Sequence, residues 1–97
     1  MESIECHGLK IDLDNKICYL DEQEINFSKK EFEIIQYLVQ NPNKVISRED
    51  FLSKFWTKKV DVRSIDTAIS RIRKKLGPDY GERIRTRQGF GYTFNDK

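Results

Sequence analysis

The chain is poor in the residues from which active sites are built. In 97 residues it has one histidine, His7, and two cysteines, Cys6 and Cys18. The cysteines sit in apolar, strand-like segments outside any CxxC or Cys/His spacing, so they read as structural thiols rather than a metal set or redox pair. With a lone histidine, separated thiols and no glycine-rich phosphate loop there is no nucleophile–base pair, and neither a cofactor nor an enzymatic activity is expected. Asp12, Asp14, Asp21, Glu22 and Glu24 lack the spacing and loop glycine of a calcium site and read as a solvated acidic face. No apolar run approaches the roughly 18 residues of a membrane span, and the acidic start MESIE has no signal-peptide pattern, so a cytoplasmic protein is expected.

What is present is a segregation of charge. The net charge of +2 conceals it: residues 1–53 carry 6 Lys/Arg against 11 Asp/Glu, a net of −5, and residues 54–88 carry 11 against 4, a net of +7. Asp96 and Lys97 cancel in the remainder. Such asymmetry points to nucleic acid or an acidic surface as partner. The length fits one domain with a single core.

Along the chain, short segments near Ile4 to Cys6, Leu9 to Leu13, Ile17 to Leu20 and Glu24 to Phe27 alternate apolar and polar residues, which predicts a small antiparallel sheet over about residues 1–27. Asp14-Asn15 and Asp21-Glu22 supply turns. Ser28-Lys29-Lys30-Glu31 is a capping-box pattern that opens a helix over about residues 29–40, and Asn41-Pro42 closes it. Ser47 starts a second helix that ends near Trp56, with Phe51, Leu52, Phe55 and Trp56 expected on its buried side.

After the six-residue link TKKVDV, a third helix is predicted over residues 63–76. Ile65, Ala68, Ile69, Ile72 and Leu76 fall at i, i+3, i+4, i+7 and i+11 and make one buried stripe. Arg63, Thr67, Ser70, Arg71 and Lys74 point away from it, and the only acid in the helix is Asp66. A helix that needed only solubility would mix acids with bases at i, i+4 spacing, so this face is suited to an anionic partner. Gly77-Pro78 stops the helix. From Arg83 to Phe94 the pattern turns strand-like around a bend at Gly89-Phe90-Gly91, flanked by Arg85, Arg87 and Gln88. Two helices with a short link, the second one basic, followed by a cationic hairpin, describe an α+β winged helix-turn-helix.

The succession SKKEFEIIQYLVQNPNKVISREDFLSKFW, SIDTAISRIRKKL and IRTRQGFGYTF resembles the effector domain of OmpR/PhoB-type response regulators over nearly the whole chain. The resemblance implies sequence-specific binding of double-stranded promoter DNA, with head-to-tail pairs on direct repeats, under control of a receiver domain that this sequence does not contain. A fragment, a separately expressed effector domain and a stand-alone regulator are all compatible with that. The alternative is a winged helix that docks on an acidic protein partner.

The resemblance places Arg63, Asp66, Thr67, Ser70, Arg71, Arg73 and Lys74 on or near the groove-facing side of the third helix. Arg71 suits bidentate bonding to guanine, and the Thr67 methyl suits a thymine methyl. Arg73 lies about 80° from Ile65, so a flanking phosphate or an intrahelical pair fits it better. Asp66 is expected either to accept from a cytosine amino group or to orient Arg63 or Arg73. Ser47 and Arg48 start a helix whose free N–H groups favour an anion, and Trp56 matches a family position whose indole reaches the DNA backbone; as a simple cap and as core, Ser47 and Trp56 have structural readings too. In the hairpin, Thr86, Arg87 and Tyr92 are candidates. Here the chain departs from the family: Gln88 stands immediately before the first wing glycine, where several members have an arginine for the minor groove. Arg87 is one residue earlier, on the other face of a strand. The 57–62 link is about two residues shorter than in some relatives; there the family often contacts RNA polymerase, and Lys58 and Lys59 are open to polymerase, DNA or solvent.

Overall fold

A computed structural model describes residues 2–97. Strands β1 (Ser3–Cys6), β2 (Leu9–Asp12), β3 (Ile17–Leu20) and β4 (Gln23–Ile25) form an antiparallel sheet in chain order. Ile11 lies opposite Ile4 on one side and Cys18 on the other. Alternation turns Leu9, Ile11 and Cys18 into the core and leaves Lys10 in solvent. A turn at His7-Gly8, not anticipated from the sequence, joins β1 to β2. His7 and Gly8 have φ of +48° and +90°, and Asp21 and Glu22 have +49° and +70°. Both are therefore two-residue hairpins whose backbone matches the strand twist. The expected extension of β4 to Phe27 does not form, because the Phe27 N–H turns back onto Ile25 O at 3.1 Å.

Helices α1 (Lys29–Gln40), α2 (Arg48–Phe55) and α3 (Arg63–Leu76) follow. Both halves of the capping box at Ser28 and Glu31 are present. Ser47 caps α2 by accepting the Asp50 N–H at 3.1 Å. Of the four residues expected on the buried side of α2, only Phe51 is fully buried; Leu52, Phe55 and Trp56 are half-exposed, since α2 has only 8 residues and one apolar position facing the centre. The α3 stripe of Ile65, Ala68, Ile69, Ile72 and Leu76 is wholly buried, against Phe32, Ile35 and Leu38 of α1 among others.

Gly77-Pro78 does end α3, and Pro78 then opens a short helical turn, α4 (Pro78–Gly81), which the sequence reading lacked. Its Tyr80 is buried and donates to Cys6 O at 2.6 Å, tying the end of the helical core to the sheet. The chain closes with β5 (Ile84–Arg87) and β6 (Gly91–Phe94), an antiparallel hairpin. Ile46, in the link between α1 and α2, pairs with Tyr92 on the free edge of β6 through N–H···O bonds of 2.8 and 3.0 Å. That approach requires glycine at 91: its φ is +145°, and a Cβ there would stand 2.0 Å from Ile46 O. The architecture is a winged helix with an added amino-terminal sheet.

Candidate nucleic-acid interface

Burying one stripe of α3 forces the opposite face outward. Arg63, Thr67, Ser70, Arg71 and Lys74 are all exposed, and their side chains have no hydrogen-bond or ion-pair partner among the described residues. The helix lacks a side-chain cap at Val62; instead the Asp61 carboxylate accepts the Arg63 N–H at 2.9 Å. Arg73, Lys74 and Lys75 lie in its last turn, the negative end of its dipole, where cations are stabilised.

One flank of this face is a cluster shared by three elements. Asp66 accepts from Arg48 Nε at 2.7 Å and from the Tyr92 hydroxyl, so its carboxylate joins α2, α3 and β6. The Arg48 and Arg73 guanidinium carbons lie 5.4 and 5.7 Å from the centre of the Tyr92 ring. Arg73 also donates to Ile84 O at 2.7 and 3.0 Å and to Thr86 Oγ1 at 2.9 Å, clamping the wing to α3. Burial alone would raise the Asp66 carboxyl, but the Tyr92 and Arg48 hydrogen bonds outweigh it and hold it below the usual carboxylate range. Burial and the bond to Asp66 push the Tyr92 hydroxyl up, which keeps its proton on the donor side.

These contacts revise several expected partners. Asp66 orients neither Arg63 nor Arg73; its cation is Arg48, 18 residues away. Arg73 has no intrahelical partner and grips the wing. The Tyr92 hydroxyl donates to Asp66, and its ring is buried.

The other flank is a cleft of about 300 Å³ lined by Lys30, Trp56, Ser64, Thr67 and Arg71, with Ser28 and Glu31 at its α1 end. Trp56 is half-buried at the end of α2, and the Lys30 ammonium lies 4.7 Å from the centre of its ring. Lys30 also donates to Phe55 O. Lys30 did not stand out in the sequence, although a signal existed: two lysines in the first turn of α1 oppose the helix dipole, and such a placement calls for a reason outside the helix.

In the wing, Arg85, Thr86, Arg87, Gln88 and Phe90 are exposed, Phe90 to 74%. Thr86 shares a face with Ile84 and meets Arg73 on α3, so alternation turns Arg85 and Arg87 to the opposite face. Gln88 sits in the loop, closed by the Phe90 N–H on Arg87 O at 2.8 Å. Ser47 occupies the start of α2 as its cap, and Lys58 and Lys59 are exposed in the link before α3. Among the described residues there is no group of acidic, histidine and cysteine side chains that could hold a metal, and no helix long and apolar enough to cross a membrane.

Comparison with known proteins agrees with this geometry. Residues 22–94 match the family described as "Transcriptional regulatory protein, C terminal". The transcriptional regulatory protein SrrA of Staphylococcus aureus is 38% identical over 99 aligned residues, covering 97% of this chain and 41% of SrrA. The chain thus spans about two fifths of that relative's length. The DNA-binding domain of Klebsiella pneumoniae RstA, whose crystal structure is a complex with the RstA box, superposes with a TM-score of 0.89 at 30% identity, with all of both chains covered. The response regulator DrrB of Thermotoga maritima, an OmpR/PhoB homologue, superposes with a TM-score of 0.84 at 39% identity, over 96% of this chain and 44% of DrrB. With its sheet, three-helix core, exposed basic helix and hairpin wing, the chain belongs to the OmpR/PhoB-type family of carboxy-terminal domains of transcriptional regulatory proteins.

Proposed function

We propose that this chain binds double-stranded promoter DNA sequence-specifically, with α3 in the major groove, as the effector domain of a two-component response regulator. The observation that carries this reading is the face of α3: five polar and cationic side chains on a rigid, packed helix, none with an intramolecular partner among the described residues. A groove about 12 Å wide accepts such a helix. The complex of the similar RstA domain with its DNA box supports it. The family is one of transcription-regulatory domains, not of enzymes.

Within this reading, Arg71 bonds guanine O6 and N7 and Thr67 meets a thymine methyl, with Ser70 beside them. Arg63 and Lys74 hold phosphates at either end of the helix. Arg48 and Ser47 present the start of α2 to the backbone on the wing side, where Arg73, Thr86 and Tyr92 fix the wing against α3. Asp66 serves that cluster, where its Oδ1 accepts from both Arg48 and Tyr92. The Trp56 indole faces the backbone on the opposite side. Gln88, at the loop, enters the minor groove before Arg87, whose side chain turns away from α3. A receiver domain preceding this segment, head-to-tail pairing on direct repeats, polymerase contact through Lys58 and Lys59 and a cytoplasmic location complete the proposal.

Selection of bound sites from a random duplex pool tests it. The expected result is a direct repeat with about one helical turn between half-sites. Recovery of no sequence preference, together with nuclease-resistant capture of an acidic protein partner, would replace this reading with a protein-docking one.

A further inference from the structure

We infer that the cleft between the start of α1, the end of α2 and α3 seats a phosphate of the DNA strand on that side of the groove, and that Lys30 supplies its fixed charge. The inference rests on the DNA-binding reading and adds α1 to the binding surface.

Lys30 is the second residue of α1, where the helix dipole disfavours a cation. Its side chain crosses to the far end of α2, donates to Phe55 O in the last turn and covers the Trp56 ring. Helix carbonyls and an aromatic face stabilise an ammonium there and hold it in place. An ammonium has three donors, and the Phe55 carbonyl takes one. Across the cleft stand Arg71, Ser64 and Thr67, whose side chains have no partner among the described residues. The one carboxylate lining the cleft, Glu31, is already neutralised: Lys75 donates to it at 2.6 Å and the Ser28 N–H at 2.9 Å. Burial would raise the Glu31 carboxyl, but Lys75 and Ser28 hold it ionised and engaged. The cleft is therefore cationic with no free acid to repel a phosphate.

Its position fits a duplex. On a helical wheel Ser64 and Arg71 lie about 80–100° to one side of Arg63, and Asp66 and Arg73 about 60–80° to the other. The Arg48–Asp66–Arg73 cluster and the Lys30 cleft thus border opposite sides of the α3 face, as two walls beside a helix lying between two phosphodiester strands.

The test is binding of the whole chain to its selected duplex by fluorescence anisotropy across a salt series, comparing wild type with Lys30→Met and Lys29→Met. Lys30→Met is expected to weaken selected and scrambled duplexes alike and to reduce the slope of log affinity against log salt by about one. Its deficit then shrinks about threefold between 50 and 200 mM salt. Lys29→Met, which lacks the contact with Trp56, leaves the slope unchanged, and Lys30→Arg restores it. Duplexes carrying a single methylphosphonate locate the contact: one neutralised phosphate costs wild type affinity and costs Lys30→Met nothing further. That cycle separates a lost contact from a perturbed fold, since a weakened fold would leave every phosphate penalty in place. An unchanged slope in Lys30→Met, or identical phosphate penalties in both proteins, overturns the inference while the DNA-binding reading stands. Equal, weak binding of wild type to every duplex removes both.

Discussion

In the amino-terminal sheet, Asp12 turns its carboxylate onto its own loop, accepting the backbone N–H groups of Asp14 and Asn15 at 3.0 and 3.1 Å, while Asp14 accepts that of Glu2 at 3.0 Å. Across α3, Arg63, Arg71 and Lys74 contact none of the described residues through their charged groups. Both regions are charged and both rest on the same core, yet acids of the first shape local backbone and cations of the second are left available. The contrast separates a charge that stabilises a turn from one that waits for a partner. Asp66 lies between the two cases: it is an acid inside the basic half, held by Arg48 and Tyr92, and it aligns α2, α3 and the wing.

The largest expected effect is at the junction of the wing with the core. Gly91→Ala would drive a Cβ into Ile46 O at a φ that alanine disfavours, and a loss of about 3 kcal/mol or more of unfolding free energy, measured by chemical denaturation, is expected, with DNA binding lost alongside. Full stability in that variant would contradict the tight Ile46–Tyr92 pairing. Next comes Arg71→Ala, which should cost about 1–3 kcal/mol of discrimination between selected and scrambled duplexes and leave the thermal midpoint nearly unchanged. Equal weakening on both duplexes would reassign Arg71 to phosphate.

Smaller effects test the acids. Asp66 has a folded carboxyl pKa below its unfolded one, so its stabilisation is complete above the unfolded value and disappears as pH falls through the folded value. Asp66→Asn should therefore flatten the acid limb of the stability profile below about pH 4 while loosening the wing, read as weaker binding of all duplexes. An unaltered acid limb would mean that the cluster contributes nothing to folding. Ser28→Ala, which removes the α1 cap, is expected to cost about 1 kcal/mol by chemical denaturation. Last, Glu24→Gln in the sheet should change affinity for a single site by less than about twofold, in line with the small effects of isolated surface charges. A larger change would erase the distinction between the two halves.

The residues differ in how much of this they announce. The bounds of α3 and its exposed face were legible because five apolar positions at helical spacing define the buried side without reference to the rest of the molecule. The α1 cap was legible because a capping box is local. Asp66 was not legible in its partners: helical geometry orders neighbours on one helix, whereas Arg48 and Tyr92 come from 18 and 26 residues away. The intrahelical pair expected of Arg73 is replaced for the same reason, its acceptors being on β5. The turn α4 escaped because its four residues give no periodicity, and its one strong contact, Tyr80 to Cys6 O, spans 74 residues. Lys30 escaped because its reason for being in the first turn of α1 lies at the end of α2.

With the unpartnered face of α3 in the groove, the acidic sheet would stay clear of the duplex. Backbone amide NMR of the chain, titrated with a duplex carrying a single half-site, reads this placement residue by residue, since one half-site excludes shifts from a second bound copy. The largest shifts are expected from Arg63 to Lys74, with further shifts at the start of α2 and in the wing, and none from Ser3 to Leu20. Shifts centred on the amino-terminal sheet, or a silent α3 at saturating duplex, would contradict it.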